Sequence, residues 1–111
     1  MKYTIHYTKK AALDLYSAAY YIKTDLLNPQ AAYNLIMETK KRVSSLEHMP
    51  EKHPLLLDPV LRSHGLRCIV INNYLVFFIV EQEKKTVHII RYIYGRRDWI
   101  SILHDDPLSL E

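Results

Sequence analysis

Apolar and polar residues alternate at the amino terminus. Tyr3, Ile5 and Tyr7 share one side and Lys2, Thr4 and His6 the other, which predicts a strand with one buried face. The period then changes. From Lys9 to about Leu26 there is neither Gly nor Pro, and Ala12, Leu15, Ala19, Ile22 and Leu26 recur at helical spacing behind Thr8, a residue suited to capping. Asn28-Pro29 stops this helix and starts a second: Asn accepts bonds from free helix amides, and Pro at the first helical position loses no bond. The second helix is expected to reach about His48 on a stripe of Ala32, Leu35, Ile36, Val43 and Leu46, with Lys40, Lys41 and Arg42 turned mostly outward. The short connection predicts an antiparallel helical hairpin.

Met49 to Pro59 contains Pro50, Pro54 and Pro59 and reads as an irregular crossing. After Gly65 come three strand-like runs, Leu66 to Ile71, Tyr74 to Val80 and Thr86 to Tyr94, divided by the turn residues Asn72-Asn73 and Glu81 to Lys85. Asp98 to His104 suits a short closing helix. The order predicts one α+β domain over residues 1–111, with a strand, a helical hairpin, a three-stranded antiparallel meander and a terminal helix. The run Tyr74 to Val80 is apolar at both parities, so both its faces require cover, and the hairpin supplies only one. Either the terminal helix and the proline-rich loop close the other face, or Leu75, Phe77 and Ile79 form a partner surface.

Composition narrows the classes. At 111 residues, 49% hydrophobic and 24% charged, the chain has the balance of a single folded domain. One cysteine, Cys68, excludes an intrachain disulfide and fits a reducing cytoplasm. The first ten residues have no continuous apolar core, so they do not read as a secretory signal, and no apolar run is long enough for a membrane helix. The net charge of +3 is small. Its placement says more: Arg62, His64, Arg67, His88, Arg91, Arg96 and Arg97 crowd the second half, opposed there by Glu81 and Glu83, which suits an acidic partner.

Six histidines raise the question of a metal, but their spacing matches no ligand set, and metal and cofactor are expected to be absent. No activated serine or phosphate-cradling glycine loop is present in the sequence. Gly95-Arg96-Arg97-Asp98 lies where a strand leaves the sheet and a helix begins, and guanidinium forks there suit carboxylates or phosphates. One of the two arginines is expected to be tied to Asp98 or another carboxylate and the other free. Arg91 shares the parity of Val87, Ile89 and Ile93, and Arg67 opens a strand. Each must be paired, with Glu47, Glu38 or Asp58 as partners, or must line a site.

The stretches Gly65-Leu66-Arg67, Asn73 to Phe78, Val87 to Ile93 and Tyr94-Gly95-Arg96-Arg97-Asp98, taken in order behind the helical hairpin, resemble the RelE/ParE toxins. The resemblance implies the toxin of a type II toxin-antitoxin system, a cognate antitoxin as partner, and either DNA gyrase or the ribosome with its messenger RNA as target. On that reading, the guanidinium groups of Arg67, Arg91, Arg96 and Arg97 are the expected target contacts, and the apolar face of Leu75, Phe77 and Ile79 is the expected antitoxin contact. An RNA-cleaving member needs a proton acceptor, a proton donor and a cation. Arg67, His88, Arg91, Tyr94, Arg96 and Arg97 are the candidates, with His64 and Glu47 as further members of an unorthodox set. RelE-type toxins usually carry a basic residue in the strand that here reads Leu75-Val76-Phe77, and this chain is apolar there. ParE-type toxins end the last strand in histidine, a small residue and two arginines. Here Tyr94-Gly95-Arg96-Arg97 is similar, with tyrosine for the histidine, and the ParE branch is the expectation.

Overall fold

The computed structural model describes residues 2–111, so Met1, the first residue of the amino-terminal segment, lies outside it. Strand β1 (Thr4–Tyr7) leads through Thr8 into α1 (Lys9–Thr24), and Thr8 caps α1 by accepting from the Ala11 amide at 3.1 Å. Asn28 caps α2 (Pro29–Ser44) through the Ala31 amide at 3.0 Å. Both helices stop short of the expected ends, and Leu26 is exposed beyond α1. The chain from Ser45 to Glu47 tightens into a 3₁₀ turn, and another follows at Pro50–Lys52.

The proline-rich crossing hides an element. Asp58 caps a five-residue helix, α3 (Pro59–Ser63), by accepting from the Leu61 amide at 3.0 Å, with Pro59 at its first position. The third proline therefore starts a helix. Strands β2 (Leu66–Ile71), β3 (Tyr74–Glu81) and β4 (Thr86–Tyr94) form the expected meander, and α4 (Trp99–Asp105) closes the fold behind Asp98. The sheet order is β1-β4-β3-β2, with β1 parallel to β4 and every other pair antiparallel.

Two cores lie on opposite sides of this sheet. On one side the hairpin covers Ile69, Ile71, Val76, Phe78, Val87 and Ile89 with Ala11, Leu15, Leu35 and Val43. On the other, Leu61 and Leu103 join Leu66, Phe77, Ile90 and Ile93, with Trp99 and Leu108 packed alongside. This second core corrects the expectation of an open face at Leu75, Phe77 and Ile79. Phe77 is 0% exposed with the Trp99 ring 5.3 Å away, and Leu75 and Ile79 are partly buried in the same cluster. Burial of one such aromatic contributes about 2–3 kcal/mol, which explains why β3 is apolar at both parities.

A bulge in β4 changes the parity reading. Phe77 pairs with Arg91 and Phe78 with Ile89, so Ile90 is the extra residue. Ile89 therefore belongs to the hairpin-side core while Ile90 and Ile93 belong to the other. Arg91 does not share a face with Val87 and Ile89 by simple alternation.

Candidate functional site

The end of the sheet where β4 departs is built on close backbone approach. The Gly95 amide donates to the Asn73 carbonyl at 2.8 Å, and a Cβ at Gly95 would stand 3.1 Å from that oxygen, so a side chain here would push the β2–β3 turn away. The Arg97 amide donates to the Tyr94 carbonyl at 3.0 Å and closes a tight turn. Asn72, at φ 54°, holds the left-handed conformation that asparagine tolerates. The β2–β3 hairpin turn and the turn that leaves β4 are thus held side by side.

Arg96 and Arg97 leave this corner exposed, and among the described residues neither guanidinium has a hydrogen-bond or ion-pair partner. The expectation that one would be tied to Asp98 is corrected. Asp98 caps α4, accepting from the Ser101 amide at 3.3 Å and the Ser101 hydroxyl at 2.8 Å. Behind the arginines stands a tyrosine stack. The Tyr74 ring lies 5.0 Å from Tyr92, stacked, and 5.5 Å from Tyr94, edge-on. Burial and the neighbouring phenols of Tyr94 and Tyr21 raise the Tyr74 pKa above its ordinary value. Tyr92 is pushed up to about 12, chiefly by burial, and its hydroxyl is 2.9 Å from that of the buried Thr39. The Asn72 turn also borders a shallow depression of about 500 Å³ shared with Met37, Glu38 and Lys41 of α2. No motif marks Tyr21, and Tyr74 lies in a motif that gives it no role; the register of β3 with β4 and the path of α1 bring the two together.

The other candidates lie elsewhere and are engaged. Arg67, about 13 Å along β2 from the corner by strand rise, donates to the Glu51 and His53 carbonyls, with the Glu51 carboxylate 3.9 Å away. His88 is some 20 Å along β4 from Tyr94 and nearly buried. Its Nε2 is 2.8 Å from Glu81 and its Nδ1 2.8 Å from His6 Nδ1. Glu47 pairs with Lys2 at 3.1 Å and His64 is exposed at the end of α3, so His64, His88, Glu47 and Arg67 do not form one site.

Arg91 is the centre of a clamp. Its Nε is 2.6 Å from Asp14 of α1 and its Nη1 2.6 Å from Asp106 beyond α4, partners other than the three anticipated. Burial works against the charge, but these two carboxylates hold the guanidinium above its ordinary pKa. For Asp106, burial is outweighed by the Leu108 amide, Arg91 and Lys10, and its pKa is lowered. Of the four arginines expected to touch a target, the fold leaves two free and uses two as structure.

Comparison with known proteins agrees with this architecture. The family model described as "ParE toxin of type II toxin-antitoxin system, parDE" matches residues 5–99. The chain belongs to the ParE toxin family. Three solved structures share the fold: one from the chromosomal ParDE toxin-antitoxin system of P. aeruginosa, at 20% identity and TM-score 0.67, covers 84% of this chain and 96% of its own. The RelBE2 toxin-antitoxin complex of Mycobacterium tuberculosis gives 21% identity and TM-score 0.57, covering 85% and 99%. A double mutant of E. coli toxin RelE in the free state gives 16% identity and TM-score 0.59, covering 92% and 93%. No curated protein matches the sequence. In the ParE toxin chain described here no helix among the described residues is long and apolar enough to cross a membrane, and those residues hold no metal-binding cluster of three or more ligands.

Proposed function

We propose that this ParE-family chain is a growth-arresting toxin held inactive by a cognate antitoxin, and that it acts by binding DNA gyrase. One observation carries the choice of target: the Arg96 and Arg97 side chains are exposed with no ion-pair partner among the described residues, on a turn that holds no histidine and whose own carboxylate, Asp98, is engaged by Ser101. Cleaving RNA through the 2′-hydroxyl needs an acceptor and a donor for the proton as well as a cation. The corner offers cations and phenols, a set suited to gripping a protein or a nucleic-acid backbone through bidentate contacts.

The test is controlled induction in bacteria, followed by assay of purified protein with gyrase, ATP and plasmid. The expected result is broken DNA and an SOS response in cells and trapped cleavage complexes in vitro. Intact DNA together with messages cut at codons on the ribosome would replace this reading with the ribonuclease one.

A further inference from the structure

Helix α1 carries a second apolar stripe on the side turned away from the core. Ala11, Leu15 and Ala19 are its buried residues. Leu13, Tyr16 and Tyr20 recur at helical spacing on the other side and are each between 51% and 66% exposed. With Ser17, Tyr21 and Thr24 they line a shallow depression of about 450 Å³ that ends at Asp25. Between Leu13 and Thr24 this lining holds no charged side chain. A solvated helix face is ordinarily polar or charged, whereas tyrosine with leucine and no charge is the composition of an interface core.

The charges stand at the two ends of the stripe. Lys9 lies eight residues before Ser17 and Asp25 eight residues after it, each about 12 Å from Ser17 along the axis. Both are exposed, and neither has an ion-pair partner among the described residues. The Thr24 hydroxyl donates to Asp25 Oδ1 at 3.0 Å and so holds that carboxylate at the end of the stripe. A twofold axis through Ser17 that sets two α1 helices antiparallel brings each Lys9 to Asp25 of the other copy and each Leu13 to Tyr21 of the other copy. The small Ser17 side chain lies at the crossing point, where the two backbones approach most closely. Like charges stay apart, since the two Lys9 side chains fall at opposite ends of the pair, about 24 Å from one another and beyond the screening length at ordinary salt.

We propose that this face of α1 is a self-association surface, on which two copies of the chain pair their α1 helices antiparallel about Ser17, with tyrosine and leucine at the centre and a Lys9–Asp25 contact at each end. An unlike partner would use the tyrosines alone; opposite unpaired charges equidistant from a small central residue are what self-pairing requires. The exposed parts of Leu13, Tyr16, Tyr20 and Tyr21 are on the order of 100 Å² each. Two such faces therefore bury about 1,000 Å² in total once the ends are included, the lower end for a specific interface, so the dimer is weak and reversible.

The test is sedimentation equilibrium of the full chain from about 5 to about 500 µM, a span suited to a weak dimer. The expected result is a monomer–dimer equilibrium. Tyr20→Lys, on an exposed position, should raise the dimer dissociation constant at least tenfold. Lys9→Glu and Asp25→Lys should each raise it at least threefold by facing like charges across the pair, and the double variant should return to within twofold of wild type. Both changes suit their ends of the helix, acid at the start and base at the finish, so the variants should fold. A single monomeric species at the highest concentration, a dimer indifferent to Tyr20→Lys, or a double variant no better than the two single ones would overturn the proposal. A monomeric chain that loses binding of the antitoxin or of gyrase on Tyr20→Lys would also overturn it and give the face to that unlike partner.

Discussion

Replacing Arg91 with Met tests whether the clamp is structural. Its guanidinium is 11% exposed and meets Asp14 and Asp106, themselves 17% and 3% exposed, at 2.6 Å each. Breaking a buried pair by removing one partner costs about 3–5 kcal/mol because the other charge stays buried. Two compensations favour the lower end: Asp14 keeps the Tyr92 amide at 3.0 Å, and Asp106 keeps Lys10 at 3.3 Å and the Leu108 amide at 2.8 Å. With methionine filling the volume, the loss should be about 3 kcal/mol, equivalent to a fall of roughly 10–20 °C in Tm for a domain of this size. The assay is urea unfolding of both proteins at several pH values. Asp106 has a lowered folded pKa, so its contribution is complete above the ordinary aspartate value of about 3.9. It is lost as pH falls through the lower folded value. The gap between wild type and Arg91→Met should therefore hold from neutrality to about pH 4 and narrow below it. A further Asp106→Asn change in the Arg91→Met background should regain part of the stability. A variant as stable as wild type but devoid of toxicity would refute the structural assignment and make Arg91 a target contact.

Phe77→Asp and Phe78→Asp should both unfold the domain, each placing a charge in a side chain that is 0% exposed; near-native circular dichroism and melting for either one would show that its face is open. Arg96→Lys and Arg97→Lys should leave Tm within about 1 °C, since neither side chain holds the fold, while loss of a bidentate grip worth about 1.5–3 kcal/mol weakens target binding tenfold or more. Full toxicity of a folded Arg96→Ala, Arg97→Ala double variant, scored by colony formation on induction, would remove the corner from the mechanism.

What the sequence could reveal divides by the range of the interaction. Thr8, Asn28-Pro29 and Asp98 act within three residues of themselves, and the helices begin where these residues predict. Asp58-Pro59 carries the same local signal. Three prolines close together mask it by reading as breakers, although a proline at the first helical turn does not break a helix. Ile90 shows the opposite limit. A bulge is a relation between two strands, and the run Val87 to Ile93 is apolar enough to read as uninterrupted whichever residue is skipped. The pairing of β1 with β4 likewise joins His6 to His88 across 82 positions, and no local period announces it.

The arginines show why this matters for function. Composition and spacing place Arg67, Arg91, Arg96 and Arg97 in one basic half, but their chemistry is decided by which carboxylates and carbonyls the fold brings to them. Arg91 sits where β4 passes between the first turns of α1 and the segment after α4, so Asp14 and Asp106 converge on it from the two ends of the chain. Arg67 sits where the returning loop lays the Glu51 and His53 carbonyls against β2. Arg96 and Arg97 sit where the chain has left the sheet, and the carboxylate next to them in sequence, Asp98, is already engaged by Ser101. An arginine whose carboxylate neighbours are all engaged by other donors remains free to bind something outside the chain. That difference, which no residue-type argument contains, separates the two arginines that hold the fold from the two that can hold a target.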